Sequence, residues 1–187
     1  MEHRITTPCT AADLAPLRAG DTVLLSGIVY TARDQAHKRM MEALDAGEKL
    51  PFPLEGSAIY YVGPTPERPG QVIGSAGPTT SGRMDAYSPR LLRLGNRVMI
   101  GKGKRDEAVK QAVVETGSVY LAALGGAGAL MGRCVKSLEV IAWEDLGCEA
   151  VRRLEVEDMP LTVILDSQGN DLYQTGPAAY LSTSSGY

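Results

Sequence analysis

Thr22-Val-Leu-Leu-Ser-Gly-Ile-Val-Tyr30, followed shortly by Asp34-Gln-Ala-His-Lys-Arg-Met-Met-Glu-Ala-Leu-Asp-Ala-Gly47, is one strand-then-helix unit, and it sets the fold class. The first half is rich in aliphatic and β-branched residues and predicts a strand, with Gly27 marking a bulge or a break between two shorter strands. In the second half Ala36, Met40, Met41 and Leu44 recur at helical spacing. That pattern predicts a helix capped by Asp34, running to about Ala46 and ended by Gly47.

The same alternation continues outward. Ala58–Val62, Val72–Ser75, Val98–Ile100, Val119–Leu121, Leu138–Ala142 and Thr162–Leu165 read as strands. Helical patterns fall between them, at about Arg83–Leu94, Arg105–Glu115, Ala127–Val135 and Leu146–Leu154. Ser167–Asp171 reads as a turn into a last short strand at Leu172–Gln174. Strands alternating with helices give an α/β fold, with loops at strand ends free to bind a ligand. The early part is richer in strand than a regular doubly wound fold. No repeat, linker or composition shift divides residues 1–187, so one domain is expected, with its core at about 20–175 and a frayed tail at 182–187. Gly63–Gly70, with three prolines, reads as a surface loop.

With 187 residues and 44% hydrophobic content, the chain can bury a real core. Its net charge of −3 speaks against nucleic acid or an anionic membrane as the main partner, so any positive field is local. Cys9, Cys134 and Cys148 are far apart, and His3 and His37 do not stand at ligand spacing with them. Reduced thiols and no metal held by this chain alone are expected. With no N-terminal signal pattern and no apolar run of spanning length, a cytoplasmic, non-membrane chain is expected.

The residues most suited to chemistry lie in Gly77-Pro-Thr-Thr-Ser-Gly-Arg-Met-Asp-Ala-Tyr87. Thr79, Thr80 and Ser81 offer hydroxyls, glycine lets a ligand approach the backbone, and Arg83 can grip a carboxylate with two hydrogen bonds. One of the three hydroxyls is also expected to cap the following helix. Arg33 ends an apolar strand, where it either pairs with Asp34 or another local acid, or holds an anionic ligand. His37 lies one helical turn beyond it and suits either a hydrogen-bonded packing role or a site role. Lys102-Gly-Lys-Arg105 is not a P-loop, since Gly103 stands where a Ser or Thr is required. Lys102 is its candidate ligand-facing residue, and Lys104 reads as solvated. Gly125–Ala129 lacks the dinucleotide spacing and suits close packing or a small anion nest.

Three of these segments, Thr31–Arg39, Gly77–Tyr87 and Lys102–Arg105, resemble the C-terminal or β-subunit half of the class I iron–sulfur hydro-lyases. That family holds the fumarases and the L(+)-tartrate dehydratases. Gly117–Tyr120, Leu124–Gly126, Trp143–Gly147, Glu149-Ala150, Met159-Pro160 and Gly169–Tyr173 extend the likeness over about Gly20 to Tyr173. One departure is Lys-Gly-Lys-Arg where Lys-Gly-Asn-Arg is usual, which leaves Lys102 in place.

The resemblance implies a swivelling β/β/α domain that closes over a substrate bound to a [4Fe–4S] cluster. It implies that the cluster cysteines belong to a partner α subunit, in an α2β2 assembly, and not to this chain. By the same likeness Arg33, Arg83 and Lys102 bind the dicarboxylate, Thr79 serves proton transfer, and Asp34, His37, Thr80 and Ser81 line the site. The implied activity is reversible hydration of fumarate to L-malate. L(+)-tartrate dehydration to oxaloacetate is the alternative, and a non-catalytic carboxylate-binding module of the same fold is a second.

Overall fold

The computed structural model describes residues 1–123 and 126–184. The strands are β1 (Glu2–Thr7), β2 (Thr22–Thr31), β3 (Ala58–Tyr60), β4 (Val98–Gly101), β5 (Val119–Ala122), β6 (Val135–Ala142) and β7 (Val151–Leu165). The helices are α1 (Ala11–Leu14), α2 (Asp34–Asp45), α3 (Ser88–Arg93), α4 (Glu107–Thr116), α5 (Gly128–Arg133) and α6 (Leu172–Ser184). Short 3₁₀ segments at Ser81–Met84 and Glu144–Glu149 complete the order.

The sheet closes on itself. β1 to β5 run parallel in the order β1-β2-β3-β4-β5, and β7 pairs antiparallel with both β5 and β2. Strands β2, β3, β4, β5 and β7 therefore form a ring, with β1 and β6 attached outside it. This is the expected α/β fold, built on a barrel-like sheet. The two longest strands make closure possible because each changes neighbours midway. The first half of β2 pairs with β1 and its end with β3, while β7 passes from β6 to β5.

Period-two alternation divides the sheet residues between two cores. Ala58, Tyr60, Val98, Ile100, Val119 and Leu121 join one buried cluster with Val23, Leu25, Val29, Met159 and Val163. Their neighbours Ile59, Tyr61, Met99 and Tyr120 face the other way, against Ala36 and Met40 of α2, Leu91 and Leu92 of α3, and Val109, Ala112 and Val113 of α4. Full burial of each large aliphatic side chain contributes about 1.5–3 kcal/mol.

Gly27 belongs to one continuous strand, not to a break between two. The register steps from Leu25↔Met159 to Gly27↔Val156, so the extra residue lies on β7, where Asp158 takes a φ of 47°. Gly27 itself has φ 101°, and a Cβ there would stand 2.6 Å from the Thr7 carbonyl oxygen. Glycine lets β1 lie against β2.

Several expectations need correction. Asp34 is the first residue of α2 and Arg33 takes the cap position, without a side-chain cap bond. The Arg83–Leu94 pattern is a 3₁₀ turn and then α3, which starts with Pro89 in its first turn. Val72–Ser75 forms no strand, because only Ile73 is buried there. Leu146–Leu154 is not an α-helix: a kinked 3₁₀ segment with Gly147 at φ 60°, ψ −118° leads into β7. Leu172–Gln174 opens α6 instead of a strand. β1 and α1 had no counterpart in the sequence reading. Part of the tail at 182–187 and part of the Gly125–Ala129 run lie outside the described residues. Among the described residues no helix is long and apolar enough to cross a membrane.

Gly101 ends β4 where a Cβ would stand 1.9 Å from Ser81 Oγ and 2.9 Å from Tyr61 Cδ2. Gly101→Ala should destabilise the chain by about 1–3 kcal/mol through this overpacking, read as a lower urea midpoint. An unchanged midpoint would show that the 81–84 turn yields freely.

Candidate active site

The polar residues singled out by sequence leave the carboxyl ends of the parallel strands, the edge at which open α/β sheets bind ligands. Arg33 and Asp34 follow β2, Gly63 follows β3, and Lys102 follows β4. The Gly77–Tyr87 segment is laid across these ends by backbone bonds. Val62 bridges Pro78, the Thr79 N–H donates to the Tyr61 carbonyl at 2.8 Å, and Thr80 bridges Lys102. The Ser81 N–H then donates to the Lys102 carbonyl at 2.8 Å.

Ser81 does not cap a helix. Its buried Oγ accepts from the Lys102 N–H at 3.0 Å and is hydrogen-bonded to the Tyr120 hydroxyl at 2.9 Å, so it locks two loops together. Thr80 occupies the position before the 3₁₀ turn but makes no side-chain cap bond. Half-buried Thr79 and exposed Lys102 engage no other described residue through the hydroxyl or the ammonium.

Asp34 stands between the two arginines. Arg83 Nε donates to its Oδ1 at 2.7 Å, and Arg33 Nε lies 3.8 Å from its Oδ2. Arg33 Nε and Asp34 Oδ2 are both buried without a hydrogen-bond partner among the described residues. Glu149 holds the far side: its Oε1 lies 3.3 Å from Arg33 NH2, and its Oε2 accepts from the Gln35 N–H at 2.9 Å. Gly63 walls in the guanidinium, since a Cβ there would come within 2.8 Å of Arg33 NH1.

His37 lies beneath this layer, fully buried. Its Nδ1 is 2.9 Å from the Arg33 carbonyl oxygen, which makes Nδ1 the protonated nitrogen and leaves Nε2 an unpartnered acceptor. Burial, with the Arg105 charge adding to it, lowers its pKa to about 4, so the ring is neutral near pH 7. Its ring meets Tyr61 edge-on with centroids 5.4 Å apart. His37 thus carries the backbone of Arg33 and does not itself reach the strand-end surface.

Arg105 differs from the solvated Lys104. It is 5% exposed, donates to Asp85 Oδ1 at 2.6 Å and Ser88 Oγ at 2.8 Å, and lies 4.9 Å from the Tyr120 ring centroid. Asp85 also accepts from the Asp106 N–H at 2.7 Å. The ion pair is internal to the fold and ties the Gly77–Tyr87 segment to the Lys102 turn. Asp85, Arg105, Tyr120 and Glu149 had no assigned role in the sequence reading. They lie inside segments that carry the family likeness, but their residue types alone do not mark them as paired.

The cysteines do not fit an iron–sulfur ligand set. Cys9 is buried beneath the Gly56 carbonyl with its pKa raised by burial to about 11, Cys134 is half-buried, and Cys148 is exposed. Among the described residues no group of three or more His, Cys, Asp or Glu side chains could hold a metal ion.

Comparison with known proteins matches residues 2–176 to the family described as Fumarase C-terminus. The chain belongs to this family. It is 38% identical over 165 residues to "Fumarate hydratase class I, aerobic" of Escherichia coli K12, covering 87% of this chain and 30% of that protein. It is 39% identical over 162 residues to "Fumarate hydratase 2" of Leishmania major, covering 86% of this chain and 28% of that protein. The chain thus spans under a third of these relatives. Against the "Putative L(+)-tartrate dehydratase subunit beta" of Methanocaldococcus jannaschii it is 41% identical over 171 residues, covering 88% of each.

The buried neutral His37 makes stability depend on pH. The unfolded ring takes up a proton near pH 6.5, whereas the folded ring resists until about 4. The unfolded state binds more protons in that window, so the contribution is complete above pH 6.5 and falls as pH drops toward 4, by about 1.4 kcal/mol per unit. Melting curves across this range should be shallower for His37→Gln than for the unaltered chain. Parallel curves would show that His37 is not the group being protonated.

Proposed function

We propose that this chain is the β subunit of a two-subunit hydro-lyase that reversibly hydrates fumarate to L-malate. In this reading Arg33, Arg83 and Lys102 bind the dicarboxylate, and Thr79 transfers a proton at the carbon beside a carboxylate. The observation that carries the proposal is the gathering of a free hydroxyl and three cations on one strand-end surface, in a family whose named relatives include fumarate hydratases. Asp34 and Thr80 line that surface, and the buried Ser81 and His37 support it from below.

The chemistry needs such a set. Removing a proton next to a carboxylate builds negative charge on that group, and fixed cations stabilise the charge most where water is excluded. Arg83 spends only its Nε on Asp34, which leaves both terminal nitrogens for a ligand. Lys102 contributes a point charge that is unpaired among the described residues. A Thr hydroxyl is a weak base by itself, so an acidic group of the partner completes the proton transfer.

A [4Fe–4S] cluster belongs to the proposed assembly but not to this chain's residues, and we assign it to a cytoplasmic α-subunit partner in an α2β2 complex. The relative of matching length that is named as a separate β subunit favours the two-chain arrangement. It also keeps L(+)-tartrate dehydration as the second reading. The two substrate classes differ in hydroxyl groups, which one or two polar contacts can discriminate.

The test is anaerobic purification of the tagged chain with its bound partner, then assay with fumarate and with L(+)-tartrate. Fumarate turnover supports the proposal, tartrate turnover alone favours the second reading, and a partner-free chain inert toward both argues for a binding module. In the active complex Thr79→Ala should lower kcat by about 10²–10⁴-fold with little change in KM; matched losses would make Thr79 a binding residue. Arg83→Lys should raise KM, because an ammonium cannot make the forked contact. Unaltered kinetics would remove Arg83 from the site.

A further inference from the structure

We infer that Glu149 is the positioning residue of Arg33, fixing the guanidinium over the strand ends. The inference rests on the reading of Arg33 as a carboxylate ligand given above. Both oxygens of Glu149 are committed, Oε1 at 3.3 Å from Arg33 NH2 and Oε2 at 2.9 Å from the Gln35 N–H. One carboxylate therefore joins the side chain of Arg33 to the first turn of the helix that Arg33 begins. The arrangement is sheltered, with the Arg33 and Glu149 side chains 21% and 17% exposed.

The rest of the surroundings agree. Gly63 blocks the guanidinium on one side, where a Cβ would lie 2.8 Å from NH1 and 3.1 Å from Cδ. The His37 ring holds the Arg33 carbonyl from below. Asp34 is already bonded to Arg83, and its contact with Arg33 is longer than a hydrogen bond. Glu149 thus makes the closest ion pair of Arg33, while Arg33 Nε keeps an unused donor.

Glu149 is in turn held in place. Arg152 donates to the Gly147 carbonyl at 2.9 Å and to the Cys148 and Ala150 carbonyls at 3.0 Å each. The Thr31 hydroxyl, at the end of β2, donates to the Ala150 carbonyl at 3.3 Å. At the other end of the segment Arg39 of α2 grips Asp145 through two nitrogens, at 2.9 and 2.5 Å. A segment bound this firmly delivers its carboxylate to one place.

Capping of α2 is the competing role, and Glu149→Gln separates the two. The amide oxygen can still accept from the Gln35 N–H, but the charge facing Arg33 is gone. In the active complex Glu149→Gln should keep the melting temperature and kcat while KM rises roughly tenfold. In ¹⁵N spectra of the full chain the Arg33 Nε–H signal, assigned by its loss in Arg33→Lys, should broaden or shift. If Arg33→Lys raises KM but Glu149→Gln changes neither KM nor that signal, the positioning role is overturned. If Arg33→Lys leaves KM unchanged, the reading of Arg33 as a ligand fails instead, and the Arg33 signal alone decides whether Glu149 holds it.

Discussion

The antiparallel pairing of β2 with β7 is the constraint on which the rest of the molecule depends. It joins residues near the start of the chain to residues near its end and turns a parallel sheet into a ring. Once it forms, alternate residues of every ring strand are enclosed in one core, and the others become the floor for α2, α3 and α4. The parallel strands then end on a common rim, and loops distant in sequence meet there.

On that rim the polar groups are held by side chains that also belong to the core. Tyr61 packs among the helices while its carbonyl anchors Thr79. Tyr120 does the same, with its hydroxyl donating to the Gly103 carbonyl at 2.9 Å and lying 2.9 Å from the Ser81 hydroxyl, which can donate to it. Arg105 sits against both rings and crosses to Asp85. The rim is thereby continuous with the packed interior and is not a set of independent loops. Removing one member of a buried ion pair such as Asp85–Arg105 leaves an uncompensated charge, which typically costs about 3–5 kcal/mol.

Much of this was legible in the sequence where one physical signal dominated. β2, β4 and β5 read as apolar runs, and α2 and α4 as amphipathic stripes, because each buries a single well-defined face. Of the 15-residue β7 only the end, Thr162–Leu165, read as a strand, and the earlier part was hidden by its own composition. Val151 and Leu154 are spaced like a helix, the acidic run to Asp158 contains the bulge, and Pro160 suggests an ending. Only pairing with β2, more than a hundred residues earlier, makes it a strand. α6 carries Gly176 and Pro177, which local propensity reads against. At the candidate site the hydroxyl and arginine cluster stood out by its density. The roles of Glu149 and of Asp85, although Asp85 lies within that cluster, were not legible, because a carboxylate gains meaning only from the cation brought to it.

Among the described residues the ring leaves two strands with an unpaired side, β1 and β6, and this bears on aggregation. Their residues include Glu2, His3, Arg4, Lys136, Ser137 and Glu139, with Arg4 paired to Asp158 and Lys136 to Glu157. Charged edges of this kind discourage another strand from adding itself to the sheet. The chain can therefore present a wide polar rim without also offering a template for edge-to-edge aggregation.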